Sequence, residues 1–137
     1  MTQSQCQTHG TSVLCIEDEE DLRLDLVEEL RDAGYHVGSA ESGEAGLALL
    51  AETAYALVIC DVRLPGISGL EVLARIRADA QQSLTPVIIL SAYDDTDLHR
   101  SLAGASACVF RAKPIDYEDL LNQVAILTTR PDRMNIA

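Results

Sequence analysis

Ile59–Leu73, ICDVRLPGISGLEVL, contains a complete passage from strand to helix. An apolar run that begins at Ala56 stops at Asp61, and Pro65 and Gly66 then interrupt any regular periodicity. Ser68, with Glu71 three residues on, reads as a capping box, and Leu70, Leu73, Ala74 and Ile76 recur at helical spacing behind it. An uninterrupted apolar run of this length suits a strand buried on both faces. The segment therefore predicts a buried strand, a loop and an amphipathic helix, and the strand ends in a carboxylate.

The same unit recurs outward in both directions. Short apolar runs occupy Val13–Ile16, Ala56–Cys60, Pro86–Leu90 and Ala107–Phe110, and a more polar run, His36–Ala40, suits a sheet edge. Helical spacing lies between them: Leu22, Leu26, Val27 and Leu30 in the first helix, Ala45, Leu47, Leu49 and Leu50 in the second. Leu98 and Leu102 mark a short fourth helix. Leu120, Leu121, Val124 and Leu127 mark a fifth, capped by Asp116 and ended before Pro131. Five strand–helix repeats with right-handed crossovers predict an α/β fold, a parallel sheet between two helical layers.

At 137 residues the chain has the length of one domain. The expected organisation is an N-terminal extension over 1–10, the folded unit over 11–130 and a tail over 131–137. No apolar run approaches the roughly 18 residues of a membrane span, and Met1 to Gly10 lack the apolar core of an export signal. A cytoplasmic protein is the expectation. A net charge of −12 argues against direct nucleic-acid or membrane-surface binding. Cys6, Cys15, Cys60 and Cys108 form no CxxC pair, and three of them sit in apolar runs, as buried reduced thiols would. His9, His36 and His99 are isolated and are expected to be solvated.

In open α/β sheets ligands bind outside the carboxyl ends of the strands, so the residue that follows each run matters most. Strand one ends in Glu17 and Asp18, strand three in Asp61, strand four in Ser91, and strand five runs through Phe110 to Lys113 and Pro114. Three carboxylates at neighbouring strand ends repel one another unless a cation is shared or their pKa values rise. Magnesium takes oxygen ligands and typically uses one or two carboxylates plus a phosphate, which fits this trio. Ser91 and Lys113 add two donors for phosphoryl oxygens. The set contains what phosphoryl transfer needs: an oxygen nucleophile, a metal and electrostatic stabilisation.

Taken together, IEDEE, ICDVRLPGISGLEVL, VIILSA and FRAKP resemble the motifs of two-component response-regulator receiver domains of the CheY-like kind. The resemblance spans nearly the whole chain. It implies a flavodoxin-like three-layer sandwich with five parallel strands in the order 2-1-3-4-5. It further implies that Asp61 accepts phosphate from a histidine kinase or histidine phosphotransfer protein. Magnesium (or manganese) would be held by Asp18, Asp61, the backbone carbonyl of Arg63 and, through water, Glu17. Ser91 and Lys113 would hold the phosphoryl oxygens, the Lys113–Pro114 peptide would be cis, and Arg63 and Tyr93 would flank the acyl phosphate. Ser91 and Phe110 would form the switch, with output to a downstream protein effector through the fourth helix, fifth strand and fifth helix. That face is also where a homodimer would form.

The sequence departs from the commonest family pattern in three places. Glu17 stands where aspartate is more usual, Ser91 replaces a frequent threonine, and Phe110 replaces a frequent tyrosine. Such a protein is a signalling phosphoacceptor rather than an enzyme, although it assists its own phosphorylation and dephosphorylation. The alternative is a receiver-like interaction module that works without phosphorylation. An aspartate-nucleophile phosphohydrolase of the haloacid dehalogenase class expects DxD, whereas Arg63 stands two residues after Asp61. The chain is read either as a stand-alone regulator or as a receiver from a longer protein.

Overall fold

A computed structural model describes residues 10–92 and 108–129. The five strands are β1 (Ser12–Ile16), β2 (His36–Ala40), β3 (Leu57–Asp61), β4 (Val87–Ser91) and β5 (Cys108–Ala112). The helices are α1 (Glu20–Asp32), α2 (Gly43–Glu52), α3 (Gly69–Ala78) and α4 (Tyr117–Thr128), the last corresponding to the fifth helix of the sequence pattern. The fourth helix expected around Leu98 and Leu102, together with Tyr93, His99, His9, Cys6 and both terminal segments, lies outside the described residues.

All strands pair in parallel in the order β2-β1-β3-β4-β5, a flavodoxin-like sheet. Residues of β1, β3 and β4 alternate between two cores, as the two-residue period of a strand requires. Leu14, Ile16, Val58, Cys60, Val87 and Ile89 face the α2 and α3 layer. Val13, Cys15, Leu57, Ile59, Ile88 and Leu90 face α1 and α4, where Leu26, Leu30, Leu120 and Val124 cover them. Because both faces are covered, apolarity is continuous along these strands. The polar run His36–Ala40 is at an edge, as its composition predicts.

The ends of β3 and β4 differ from the sequence reading by one residue. Apolarity marks Ala56–Cys60 and Pro86–Leu90, whereas the ladder runs Leu57–Asp61 and Val87–Ser91. Backbone pairing does not stop where side chains become polar: Asp61 is registered with Leu90, and Ser91 with Ala112. The two polar residues are thus held by the rigid sheet itself and are almost fully buried, Asp61 at 5% and Ser91 at 1% exposure.

Helix starts follow local chemistry. Ser42, Ser68 and Asp116 each accept a hydrogen bond from the N–H three residues on. At Ser68 the capping box is half-formed, since the Glu71 carboxylate pairs with Arg75 Nε at 3.0 Å. In α2 the deepest residues are two glycines and Leu50. A Cβ at Gly46 would overlap Ile16 Cδ1, so the absence of a side chain lets α2 lie close to β1. Gly46→Val is expected to destabilise the protein by about 1–3 kcal/mol through overpacking, read as a lower urea midpoint with an unchanged slope.

Candidate functional site: an acidic centre at the strand ends

β1 and β3 are adjacent, so the residues at their carboxyl ends come together although they are far apart in sequence. Oxygen atoms of Glu17, Asp18 and Asp61 lie within 4.8 Å of one another. Glu17 is 1% exposed, whereas Asp18 is exposed and opens the cluster to solvent. Lys113, just beyond β5, extends across the sheet end and donates to Asp61 Oδ2 at 2.8 Å and to Glu17 Oε1 at 3.5 Å. The other Asp61 oxygen accepts from the Arg63 N–H at 3.2 Å. The Lys113–Pro114 peptide is cis.

Glu17 is constrained at every polar group. Its N–H donates to the Ala40 carbonyl at 3.0 Å and its carbonyl accepts from Arg23 Nη1 at 2.9 Å. Its Oε2 accepts from the Glu19 N–H at 3.0 Å, which leaves Oε1 directed at Lys113. Burial pushes the Glu17 carboxyl up to about 7, helped by the Asp61 charge and opposed by the Glu19 N–H and Lys113. Burial pulls the Lys113 ammonium down, but its bond to Asp61 and the charges of Asp61 and Glu17 outweigh this and hold its pKa above the ordinary value.

One ammonium therefore does not balance three carboxylates. The donor set of Glu17, Asp18 and Asp61, all hard oxygen and open to solvent on one side, suits a small divalent cation. A folded-state carboxyl at about 7, against an ordinary 4.5, means that the folded protein binds more protons than the unfolded chain between those values. Stability of the metal-free protein is accordingly expected to fall as pH rises from 5 through about 7. Magnesium at pH 8 should restore it, and should raise the melting temperature less at pH 5.5, where a proton occupies Glu17. Thermal melts with Mg2+ and with EDTA at the two pH values check this.

The remaining sequence candidates occupy defined positions. The Ser91 hydroxyl donates to the Ala92 carbonyl at 3.2 Å, and the Ser91 carbonyl accepts from the Lys113 N–H at 2.7 Å. Phe110, opposite Ile89 in the sheet, is half-buried against the α2 and α3 core. Arg63 is exposed in the loop after β3. Cys15 and Cys60 are buried and Cys108 half-buried, all unbridged; burial pushes the Cys15 thiol up to about 12, and the Cys60 and Cys108 thiols are also raised by burial. Such thiols are inert hydrophobes.

Several supporting residues gave no local sequence signal. Besides Arg23, the Glu44 carboxylate accepts from the Ile67 N–H at 3.4 Å and ties α2 to the loop that follows Asp61. Gly69 lets α3 begin against the β3 end, since a Cβ there would overlap the Asp61 carbonyl. Arg111 pairs with Asp119 at 2.6 Å and ties β5 to α4. Each is a contact between different elements, which the periodicity within one element does not encode.

A strand order of 2-1-3-4-5 with an acidic triad, a lysine and a serine at the carboxyl ends defines a class of protein. The family model for the response regulator receiver domain matches residues 13–125, and the chain belongs to that family of two-component signalling domains. Among curated proteins, it is 41% identical over 112 residues to the transcriptional regulatory protein YkoG of Bacillus subtilis, covering 82% of this chain and 48% of that protein. It is 38% identical over 126 residues to the response regulator ArlR of Staphylococcus aureus, covering 90% of this chain and 55% of ArlR. The chain thus spans about half the length of these relatives.

Among solved structures, a response regulator from Chloroflexus aurantiacus superposes with a TM-score of 0.81 at 29% identity, covering 88% of this chain and 98% of that one. TrrA of Thermotoga maritima, solved in complex with Mg(2+)-BeF, superposes with a TM-score of 0.75 at 34% identity, covering 85% and 98%. Among the described residues no helix is long and apolar enough to cross a membrane.

Proposed function

We propose that the chain is a phosphorylation-dependent switch of a two-component phosphorelay, with Asp61 as phosphoacceptor and a histidine kinase or histidine phosphotransfer protein as donor. The observation that carries this reading is the centre itself. Asp61 is buried at a strand end, bonded at 2.8 Å to Lys113 and within 4.8 Å of the Glu17 and Asp18 carboxylates, in a chain of the receiver family.

An Asp61 carboxylate oxygen attacks phosphorus as the bond from phosphorus to the donor's histidine nitrogen breaks, and the imidazole leaves with the electron pair and takes up a proton. Asp18, Asp61 and the Arg63 carbonyl, with Glu17 through water, would hold a magnesium ion, which would supply positive charge to offset repulsion between the carboxylates and the phosphoryl oxygens. Lys113 exchanges a carboxylate partner for a phosphoryl oxygen. Ser91, whose hydroxyl here bonds the neighbouring Ala92 carbonyl, turns to donate a second bond. Water later attacks phosphorus and releases phosphate, with Arg63 and Tyr93 flanking its approach; Tyr93 lies outside the described residues. The relatives in which the matching region is about half of a longer regulator support a receiver role whose output is read by a further protein or domain.

Incubation with acetyl phosphate and Mg2+, read by intact mass, tests this. One phosphate adduct is expected in the wild type, none with EDTA and none in Asp61→Asn. Failure of acetyl phosphate and of a phosphorylated histidine donor alike favours a module that docks partners without phosphorylation.

A further inference from the structure

Arg23 is in the wrong place for its charge. It sits in the second turn of α1, near the positive end of the helix dipole, where Glu20 and Asp21 follow the usual preference for acids. A guanidinium is always charged, so this placement is retained against the dipole unless the side chain has a specific partner. That partner is the Glu17 carbonyl, at 2.9 Å. Meanwhile the Arg23 N–H closes the first helical turn on the Glu19 carbonyl at 2.9 Å. One residue thereby grips both ends of the Glu17–Glu19 turn.

This turn carries the two acids of β1. Glu17 has a longer side chain than the aspartate more common at its position, so its reach has to be limited by something. It folds back, and its Oε2 accepts from the Glu19 N–H at 3.0 Å, which aims Oε1 into the centre. That fold-back holds only while the carbonyl of residue 17 and the N–H of residue 19 keep their relative orientation, and the Arg23 guanidinium is the side chain that fixes the carbonyl.

We infer that Arg23 is a positioning residue for the cation site, holding the Glu17–Glu19 turn so that Glu17 and Asp18 present their carboxylates to magnesium. The inference rests on the metal reading above and adds a residue that touches neither metal nor phosphate. Groups that orient metal ligands without touching the metal typically change affinity about 10–100-fold when removed.

The sign of the effect separates positioning from charge. Removing a positive side chain near a cation site strengthens cation binding by Coulomb's law alone, whereas loss of orientation weakens it. The experiment is Mg2+ titration by calorimetry of the full chain as wild type, Arg23→Met and Arg23→Lys, with Arg75→Met as a control that removes an exposed guanidinium on α3. Expected are affinity about 10–100-fold weaker in Arg23→Met, partial recovery in Arg23→Lys, and no weakening in Arg75→Met. Unchanged or tighter binding in Arg23→Met overturns the inference and leaves the metal reading intact. A wild type that binds no Mg2+ overturns both. Should Arg23→Met fail to fold, Arg23→Ala, which also lacks a donor and favours the helix, is read in the same way.

Discussion

Lys113→Met is expected to cost the metal-free protein about 3 kcal/mol at pH 8, the low end of the range for removing one partner of a buried ion pair. The low end applies because the Lys113 side chain keeps 28% of its exposure, whereas Glu17 and Asp61 keep almost none. Without the ammonium, two buried carboxylates face each other next to Asp18. The loss should shrink at pH 5.5, where Glu17, with its carboxyl at about 7, is protonated. It should shrink also with saturating Mg2+ at pH 8. Urea unfolding of the variant and the wild type under the three conditions checks all of this. A uniform loss in all three would mean that Lys113 contributes through its alkyl stem rather than its charge.

Phe110→Ala is expected to abolish the phosphorylation-dependent gain in partner affinity while leaving labelling of Asp61 intact. Two charge-assisted bonds, from Ser91 and Lys113 to the phosphoryl group, are worth about 3–6 kcal/mol gross. Converting a two-state protein from 1:99 to 99:1 takes about 5.5 kcal/mol, so these bonds suffice only if the resting state lacks them. It lacks the first, because the Ser91 hydroxyl is bonded to Ala92. In the proposed switch, Ser91 turning toward the phosphate would vacate space beside β5, into which Phe110, half-buried against the α2 and α3 core, would turn. The proposed output face, made in part by β5 and α4, would then be remodelled. A variant with the full affinity gain would show that the signal bypasses Phe110.

The architecture is legible in the sequence because β1, β3 and β4 are built on uninterrupted apolar runs, as a parallel sheet covered on both faces requires, while the polar run of β2 marks an edge. The centre is legible for a related reason. Glu17 with Asp18, Asp61 and Ser91 follow directly on a run, and Lys113 stands three residues after one, so locating the strand ends locates them. Polarity misplaces the ends of β3 and β4 by one residue, since the ladder is a property of backbone pairing and continues through Asp61 and Ser91.

What could not be read depends on contacts between one element and the next. The grip of Arg23 on the Glu17 carbonyl looks, in sequence, like one more charge on an exposed helix. The tie from Glu44 to Ile67 crosses 23 positions, and the need for glycine at 46 and 69 depends on Ile16 and on the Asp61 carbonyl. The resting partner of the Ser91 hydroxyl is a rotamer choice, which no residue pattern specifies.

If phosphate is carried as an acyl phosphate on one aspartate, reductive trapping identifies that residue. Protein labelled with acetyl phosphate and Mg2+ is treated with tritiated borohydride, which converts a phosphorylated aspartate to homoserine, and is then digested and sequenced by mass. Tritiated homoserine at position 61 and nowhere else is the result predicted. Labelling at Asp18 or another acid, or a protein that takes up phosphate without yielding homoserine, would contradict the account.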